Sequence, residues 1–201
     1  MIKIYKNIVT EEEIDIAMEI LKNIPDNIWR QSDCTDDPVD QVREYLPQYV
    51  SAMLDSIYQR KYIEIVKDFG ANIVVPDSHN YAVDRRRVGD YLGPHADIPT
   101  GTYDRHRGSS PEDSLITISA IFYFNDDFEG GELRFIEEDR IYKPVKGDLM
   151  VFLPTIRHEI LEIKKGERYS SQFFYSKPGA IENPLKNVNI KTGEEYNGSN
   201  N

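Results

Sequence analysis

Cysteine is nearly absent from this chain, since Cys34 is the single example among 201 residues. One cysteine cannot form an internal disulfide, which fits a reducing compartment. Long apolar runs are missing too. No segment approaches the ~20 apolar residues of a membrane-spanning helix, and Met1–Tyr5 does not begin a signal-peptide run. We therefore expect a soluble, cytoplasmic protein with no membrane partner.

Positive charge is scarce as well. The chain has 24 lysine and arginine residues against 35 aspartate and glutamate residues, which gives a formal net charge of −11. Such a charge repels phosphate backbones, so we expect no broad nucleic-acid surface. A length of 201 residues suits one domain with a full-sized core. The composition predicts no particular oligomeric state.

The first third of the chain predicts two helices. Thr10 and Glu13 have the spacing of a capping box at the start of the first helix. Its apolar face is formed by Ile14, Met18 and Leu21. Residues 47–68 predict the second helix, and its apolar side is formed by Val50, Met53, Leu54, Ile57 and Tyr58. We interpret residues 10–70 as a helical support for the rest of the domain.

Residues 73–176 predict strands instead. The main strand candidates are Leu115–Phe124, Glu132–Ile136 and Asp148–Leu153. Short strands with turn signals and no intervening helices predict a sandwich or barrel. The polar segment 178–201 has little to bury, so we expect a C-terminal tail beyond a single domain at 1–177.

Three residues have the chemistry of a metal site. His95 and Asp97 are two apart, and on a strand such residues point to the same face. His158, from a distant part of the chain, would complete two imidazoles and one carboxylate. This set occupies one face of a six-coordinate metal and leaves the other positions open, as in non-heme iron(II) oxygenases. The alternative for a lone His-x-Asp pair is a hydrogen-bonded pair at the surface.

Arg168 follows His158 by ten residues. Lys164-Lys165-Gly166 suits a three-residue hairpin loop with glycine in the left-handed position, which would pair His158 with Gln172. Paired residues share a face, so Arg168 and Ser170 would point the same way as His158. A dicarboxylate that chelates the metal could then meet the Arg168 guanidinium in a bidentate pair. A two-residue loop would turn Arg168 to the opposite face.

The segment 98–114 directly follows Asp97 and is rich in glycine, proline and serine. We interpret it as a flap that closes over the substrate, and the alternative is a solvated insertion. Arg85–Arg87 and Arg105–Arg107 are interpreted as solvated surface, with a basic rim for an acidic substrate as the alternative. Tyr123 is expected to belong to the core.

Four sequence blocks occur in an order and spacing that are specific together, although each alone is weak. The blocks are Gly89–Asp97, Phe122–Leu133, Pro144–Phe152 and His158–Ser170. Together they resemble the Fe(II)- and 2-oxoglutarate-dependent oxygenases, and most closely their prolyl 4-hydroxylase-like branch. The resemblance covers residues 80–176. It implies a mainly β protein with N-terminal helices around a double-stranded β-helix (jelly roll, cupin-like) core.

The resemblance also implies roles for individual residues. By the family pattern, the iron ligands are His95, Asp97 and His158. Arg168 matches the residue that holds the distal carboxylate of 2-oxoglutarate, and Ser170 matches a polar partner of that arginine. The carboxylate of Asp97 favours hydroxylation over halogenation, because the family's halogenases lack it.

The chain departs from the branch at two places. Arg86 stands where the branch often has a tyrosine, so Tyr81 or Tyr91 is expected to supply the hydroxyl that contacts 2-oxoglutarate. Phe173 and Phe174 replace a tryptophan common near the final strand. These changes leave the residues for the iron chemistry in place.

The implied activity is that of a dioxygenase that hydroxylates an unactivated C–H bond. Fe(II) is the cofactor, 2-oxoglutarate and O2 are the co-substrates, and ascorbate is a candidate accessory reductant. We expect the substrate to be a peptidyl proline in a peptide or protein. One alternative is a hydroxylase of a free amino acid or other small molecule. Another is a catalytically silent jelly-roll binding module.

Overall fold

The computed structural model describes residues 1–31, 39–43, 45–70, 81–97 and 116–176. The segment 98–114, interpreted above as a flap, and the expected tail at 178–201 lie outside these residues. Within them, the protein is mainly antiparallel β-structure with two helices. No helix of the described residues is both long enough and apolar enough to cross a membrane.

Two antiparallel sheets dominate the described residues. In chain order the elements are β1 (Ile2–Tyr5), α1 (Glu11–Lys22), β2 (Arg30–Gln31), β3 (Asp40–Val42), α2 (Gln48–Phe69), β4 (Val83–Arg86), β5 (Leu92–His95), β6 (Ile116–Tyr123), β7 (Glu129–Gly130), β8 (Leu133–Phe135), β9 (Arg140–Tyr142), β10 (Leu149–Phe152), β11 (His158–Ile160), β12 (Ile163–Lys165) and β13 (Arg168–Ser176). The large sheet has the strand order β1-β10-β6-β13-β4-β3-β2, and the small sheet has the order β5-β11-β8-β9. The strands β12 and β7 form a separate pair.

Local sequence determines the start of α1 and the end of α2. The Thr10 hydroxyl accepts a hydrogen bond from the Glu13 N–H at 3.2 Å, and the Glu13 carboxylate accepts one from the Thr10 N–H at 2.7 Å. This capping box satisfies two donors that the first turn of α1 would otherwise leave open. Gly70 ends α2 with a φ of 61°, the left-handed conformation that glycine adopts without strain.

Alternation along β6 divides the core in two. Ala120 and Phe122 join the cluster that contains the buried faces of α1 and α2. Ile121 and Tyr123 join a smaller cluster with apolar residues of the small sheet. Successive strand residues point to opposite faces. The large sheet is therefore covered by helices on one face and by the small sheet on the other, and residues of both sheets meet between them.

The predicted hairpin that would pair His158 with Gln172 is wrong. The strand that carries His158, β11, pairs with β5 and β8 of the small sheet. The strand that carries Gln172, β13, pairs with β4 and β6 of the large sheet. Gly166 has the expected positive φ of 78°, but the chain crosses between the sheets there. Arg168 is brought towards His158 because the two sheets face each other.

Close approach of β7 to β12 explains the different pairing. Ile163 is fully buried and pairs with Gly130 of β7. A Cβ atom at Gly130 would lie 2.1 Å from the carbonyl oxygen of Glu162, so only glycine allows the two backbones to come this close. The strand β12 is thus paired with β7 and is not the hairpin partner of β13.

Candidate metal and co-substrate site

The two histidines stand side by side in the small sheet. His95 on β5 is directly opposite His158 on β11, and their ring centroids are 4.3 Å apart. Residues directly opposite each other in an antiparallel pair share a face. Both imidazoles line one cavity between the two sheets.

Asp97 completes the group from just beyond the strand. The prediction that it shares a strand with His95 is wrong in detail, because β5 ends at His95 and the chain bends at Asp97. The Asp97 side chain nevertheless turns inward and is only 1% exposed. Ligand atoms of His95, Asp97 and His158 all lie within 4.8 Å of one another. With bonds of about 2.1 Å to a shared ion, adjacent donors of a facial set lie about 3.0 Å apart, so the three side chains must move inward to bind one ion.

Each imidazole is oriented by a backbone carbonyl. The Nδ1 atom of His95 lies 2.9 Å from the carbonyl oxygen of Gly93, and the Nδ1 atom of His158 lies 2.9 Å from that of Ile156. A carbonyl oxygen only accepts, so Nδ1 carries the proton in both rings. In a neutral imidazole with its proton on Nδ1, the Nε2 atom carries the lone pair, and this is the tautomer that binds a metal through Nε2.

Two side chains of the large sheet hold the Asp97 carboxylate. The Ser119 hydroxyl donates to Oδ2 at 2.5 Å, and the Gln172 amide donates to Oδ1 at 3.2 Å. The Oδ1 atom also lies 3.8 Å from Nε2 of His95, so it faces the histidines. The carboxylate is therefore held from the large sheet while the imidazoles come from the small sheet.

We expect Ser119→Ala to weaken metal binding by roughly tenfold to a hundredfold, the usual cost of losing an outer partner of a ligand. Titration of the metal-free protein with manganese(II) by calorimetry measures this. Ser171→Ala is the matched control, because Ser171 is an equally buried serine on β13 that instead accepts a hydrogen bond from Tyr58 of α2. Equal affinities in the two variants would contradict a role for Ser119 at the carboxylate.

Arg168 enters the cavity from β13 as a buried cation without a hydrogen-bonded acceptor. Its side chain is 1% exposed, and none of its three guanidinium nitrogens has a hydrogen-bond partner among the described residues. Burial lowers the pKa of this guanidinium from its ordinary value. A desolvated cation without acceptors is costly, which indicates a site built for an anion.

Tyr123 belongs to the buried core, as the sequence predicts, and it also contacts Arg168. The guanidinium carbon of Arg168 lies 5.1 Å from the Tyr123 ring centroid, and the buried Tyr123 hydroxyl has no hydrogen-bond partner among the described residues. Burial raises the pKa of this phenol, so it stays a donor. The sequence of β6 indicates that this face is not purely apolar, because Ser119, a polar residue, lies four residues before Tyr123 on the same face.

The structure brings together some of the predicted residues and not others. His95, His158, Arg168 and Ser170 line one cavity, and Asp97 is hydrogen-bonded at its edge. Neither tyrosine proposed for 2-oxoglutarate lines it. The Tyr81 hydroxyl donates to Asp55 of α2 at 2.9 Å, and Tyr91 is 64% exposed.

The expectation of solvated arginines at 85–87 is wrong for two of the three. Arg85 is buried and forms ion pairs with Asp26 and Asp40 at 2.8 and 3.0 Å. Arg86 is buried and lines the metal cavity. Arg87 is partly exposed, but it pairs with the same two aspartates. A free basic rim is therefore not formed by Arg85 or Arg87.

The residues present fit iron(II) and a dicarboxylate. Two imidazoles and one carboxylate match the facial ligand set of non-heme iron(II) sites, and Arg168 offers a bidentate donor to a carboxylate. As the side chains stand, the cavity encloses about 20 Å³, close to the room for one water. Entry of a dicarboxylate therefore requires the side chains around Arg168 to change rotamer.

Comparison with known sequences identifies one matching family. The sequence profile of the 2OG-Fe(II) oxygenase superfamily matches residues 78–176 of this chain. No curated protein sequence matches the chain.

Several solved structures share the fold. A prolyl-4-hydroxylase of Pseudomonas putida superposes with a TM-score of 0.65 at 16% identity, over 89% of this chain and 93% of that one. A viral collagen prolyl hydroxylase from Paramecium Bursaria Chlorella virus-1 gives 0.63 at 18% identity, over 88% and 96%. A Trichoplax adhaerens prolyl hydroxylase, in complex with a hypoxia inducible factor peptide fragment, gives 0.61 at 14%, over 90% and 86%. At such identities the likeness establishes the fold.

Proposed function

The chain belongs to the 2OG-Fe(II) oxygenase superfamily and is a 2-oxoglutarate-dependent dioxygenase, and from this premise we propose that it hydroxylates peptidyl proline. The observation that carries the chemistry is the meeting of two imidazoles, one carboxylate and a buried arginine without acceptors in one place. The proline substrate is supported by the prolyl hydroxylases among its structural neighbours, one of them bound to a peptide. We also propose that the facing sheets form a double-stranded β-helix, supported by the N-terminal helices, within one domain at 1–177.

In this proposal His95 and His158 would hold iron(II) through their Nε2 atoms, and Asp97 would hold it through its carboxylate. Backbone carbonyls keep both Nδ1 atoms protonated, so neither ring has to change tautomer to bind. Bound iron(II) would supply the redox chemistry that couples decarboxylation of 2-oxoglutarate to hydroxylation of a C–H bond. The single carboxylate lowers the net charge of the site and leaves positions open for the co-substrates.

Arg168 would hold the distal carboxylate of 2-oxoglutarate. Its fork offers parallel N–H donors, and the adjacent Tyr123 hydroxyl offers a further donor that has no partner among the described residues. Ser170, buried on the same strand and lining the same cavity, is placed for an additional hydrogen bond. These residues would orient the co-substrate so that its other end points towards the histidines.

Apolar residues of both sheets would keep water from the reacting atoms. Ile121 comes from the large sheet, and Leu133 and Ile160 come from the small sheet. A dry wall strengthens the pairing of Arg168 with an anion, since charges attract more strongly when water is excluded.

The test is a search for product with iron(II), 2-oxoglutarate and O2 present. Proline-containing peptides and free amino acids are screened by mass spectrometry for the gain of one oxygen atom, and succinate is measured in parallel. Oxygen gain on peptidyl proline, matched by succinate, is the expected result. Oxygen gain on free amino acids alone would contradict the proline substrate. The absence of any iron-dependent succinate would favour a silent binding module.

A further inference from the structure

A second cavity adjoins the metal cavity on the same face of the large sheet. It encloses about 210 Å³. Asp84 and Gln172 line both cavities, so the two spaces meet at these side chains. Gln172 also donates to the Asp97 carboxylate. A molecule in the second cavity would therefore lie beside the proposed metal ligands.

The floor of this second cavity is polar on β3 and aromatic on β13. Gln41 and Arg43 are two apart and so lie on one face of β3 and its continuation. Gln41 is opposite Asp84 of β4 in the sheet, and its amide donates to the Asp84 carboxylate at 2.7 Å. Phe174 of β13 adds a half-buried ring to the lining. The lining thus offers both an apolar surface and hydrogen-bonding groups.

Arg43 differs from the arginines nearby, because its guanidinium forms no ion pair with any described residue. Arg85 and Arg87, on and just after the neighbouring strand β4, both form ion pairs with Asp26 and Asp40. Arg43 is exposed, lines the second cavity and has no ion pair with any described residue. In a chain of net charge −11, carboxylates are abundant. At the edge of the second cavity, the Arg43 guanidinium is therefore open to pairing with an anion that a ligand brings.

We propose that Arg43 binds a carboxylate of the primary substrate in this second cavity. The substrate class is then a molecule with a free carboxylate close to the hydroxylated carbon, either a free amino acid or a peptide with a nearby acidic side chain or C-terminus. The proposal rests on the dioxygenase chemistry of the proposed function and not on its proline substrate, because it takes the adjacent cavity as the place of hydroxylation.

The spacing of the strands supports this size of substrate. Neighbouring strands lie about 4.8 Å apart, and Arg43 is on the continuation of β3, two strands away from Gln172 on β13. The backbones are thus separated by roughly 10 Å, and the arginine side chain spans part of that distance. A carboxylate on Arg43 would sit only a few bonds from a carbon beside Asp97. The Phe174 ring would pack against the apolar part of the substrate between these two ends.

The test compares carboxylates with their carboxamides as binding probes. The probes are free amino acids and proline-containing tripeptides, each as acid and as amide. Binding is measured by calorimetry to full-length protein loaded with manganese(II) and 2-oxoglutarate, so no turnover is needed. The variants are Arg43→Gln and Arg43→Lys. Arg140→Gln is the control, because Arg140 is an exposed arginine at the far edge of the small sheet, with no ion pair to any described residue.

We expect at least one acid to bind wild-type protein about tenfold or more tightly than its amide. This preference should vanish in Arg43→Gln, persist in part in Arg43→Lys and be complete in Arg140→Gln. Comparing the amino-acid and tripeptide arms identifies the source of the carboxylate. Equal binding of acids and amides, a preference that survives Arg43→Gln, or no binding by any acid would overturn the proposal. Iron-dependent succinate formation by wild-type enzyme tests the dioxygenase chemistry separately.

Discussion

Replacing His158 by alanine is expected to abolish 2-oxoglutarate turnover. The Nε2 atom of His158 is one of three donors that lie within 4.8 Å of each other, and two remaining ligands hold iron(II) poorly. The loss should exceed the roughly 100-fold that follows removal of an outer partner of a metal ligand. Oxygen consumption and succinate formation measure the activity, and manganese(II) titration measures the metal affinity.

The control for this variant is Glu159→Gln, because it changes the next residue on the same strand. Glu159 points away from the cavity and pairs with Arg134 of β8 at 3.0 Å. Circular dichroism should show folded protein for both variants, since the histidine is one side chain in a core built from two sheets. Full activity in His158→Ala, with Glu159→Gln also active, would remove His158 from the metal site.

The three candidate metal ligands could be identified from the sequence, because residue type and local spacing indicate their chemistry. His95 and Asp97 are close along the chain, and the structure brings His158 to them through the pairing of β5 with β11. The expected strand geometry was wrong for Asp97, which lies in a bend. What places its carboxylate is contact with Ser119 and Gln172, and such distant contacts leave no local pattern in the sequence.

Sheet partners were harder to predict than strands. The short turn at Lys164-Lys165-Gly166 predicts that the segments on either side pair with each other, which would pair β11 with β13. The structure instead pairs β13 with β4 and β6, which are distant along the chain. Arg168 still reaches the cavity, because opposing sheets also bring side chains together. The structure thus places Arg168 and His158 in one cavity for a different geometric reason from the predicted one.

Tyrosine assignments depended on the same long-range information. Tyr81 is one of two candidates offered by the sequence in place of the tyrosine replaced by Arg86, yet its ring stacks on Tyr58 and its hydroxyl donates to Asp55 of α2. Tyr123 looked like a core residue because it lies in an apolar strand. Only the pairing of β6 with β13, which places Tyr123 opposite Ser170, shows that it accompanies Arg168.

Replacing Arg168 by alanine is expected to raise the 2-oxoglutarate concentration needed for turnover by roughly a hundredfold to a thousandfold. Breaking a buried ion pair costs about 3–5 kcal/mol, and each 1.4 kcal/mol is about a tenfold change in affinity. Arg168→Lys should be intermediate, because lysine keeps the charge but loses the bidentate fork. Metal affinity should be nearly unchanged, since Arg168 is not among the clustered donors. Titration of 2-oxoglutarate and of manganese(II) separates the two effects.

A second substitution at Arg168 is expected to increase the stability of the fold, although it removes a residue of the proposed co-substrate site. Arg168 is buried and none of its guanidinium nitrogens has an acceptor among the described residues, so the folded protein bears the cost of desolvating a charge. Arg168→Met keeps much of the side-chain volume and removes that cost, so the free energy of unfolding without 2-oxoglutarate should rise. Added 2-oxoglutarate should stabilise wild-type protein and have little effect on Arg168→Met. Denaturant unfolding measures both, with Arg134→Gln on the outward face of β8 as the control. A loss of stability in Arg168→Met would show that the arginine supports the fold. For the earlier variant, an unchanged 2-oxoglutarate titration in Arg168→Ala would assign the distal carboxylate to another residue.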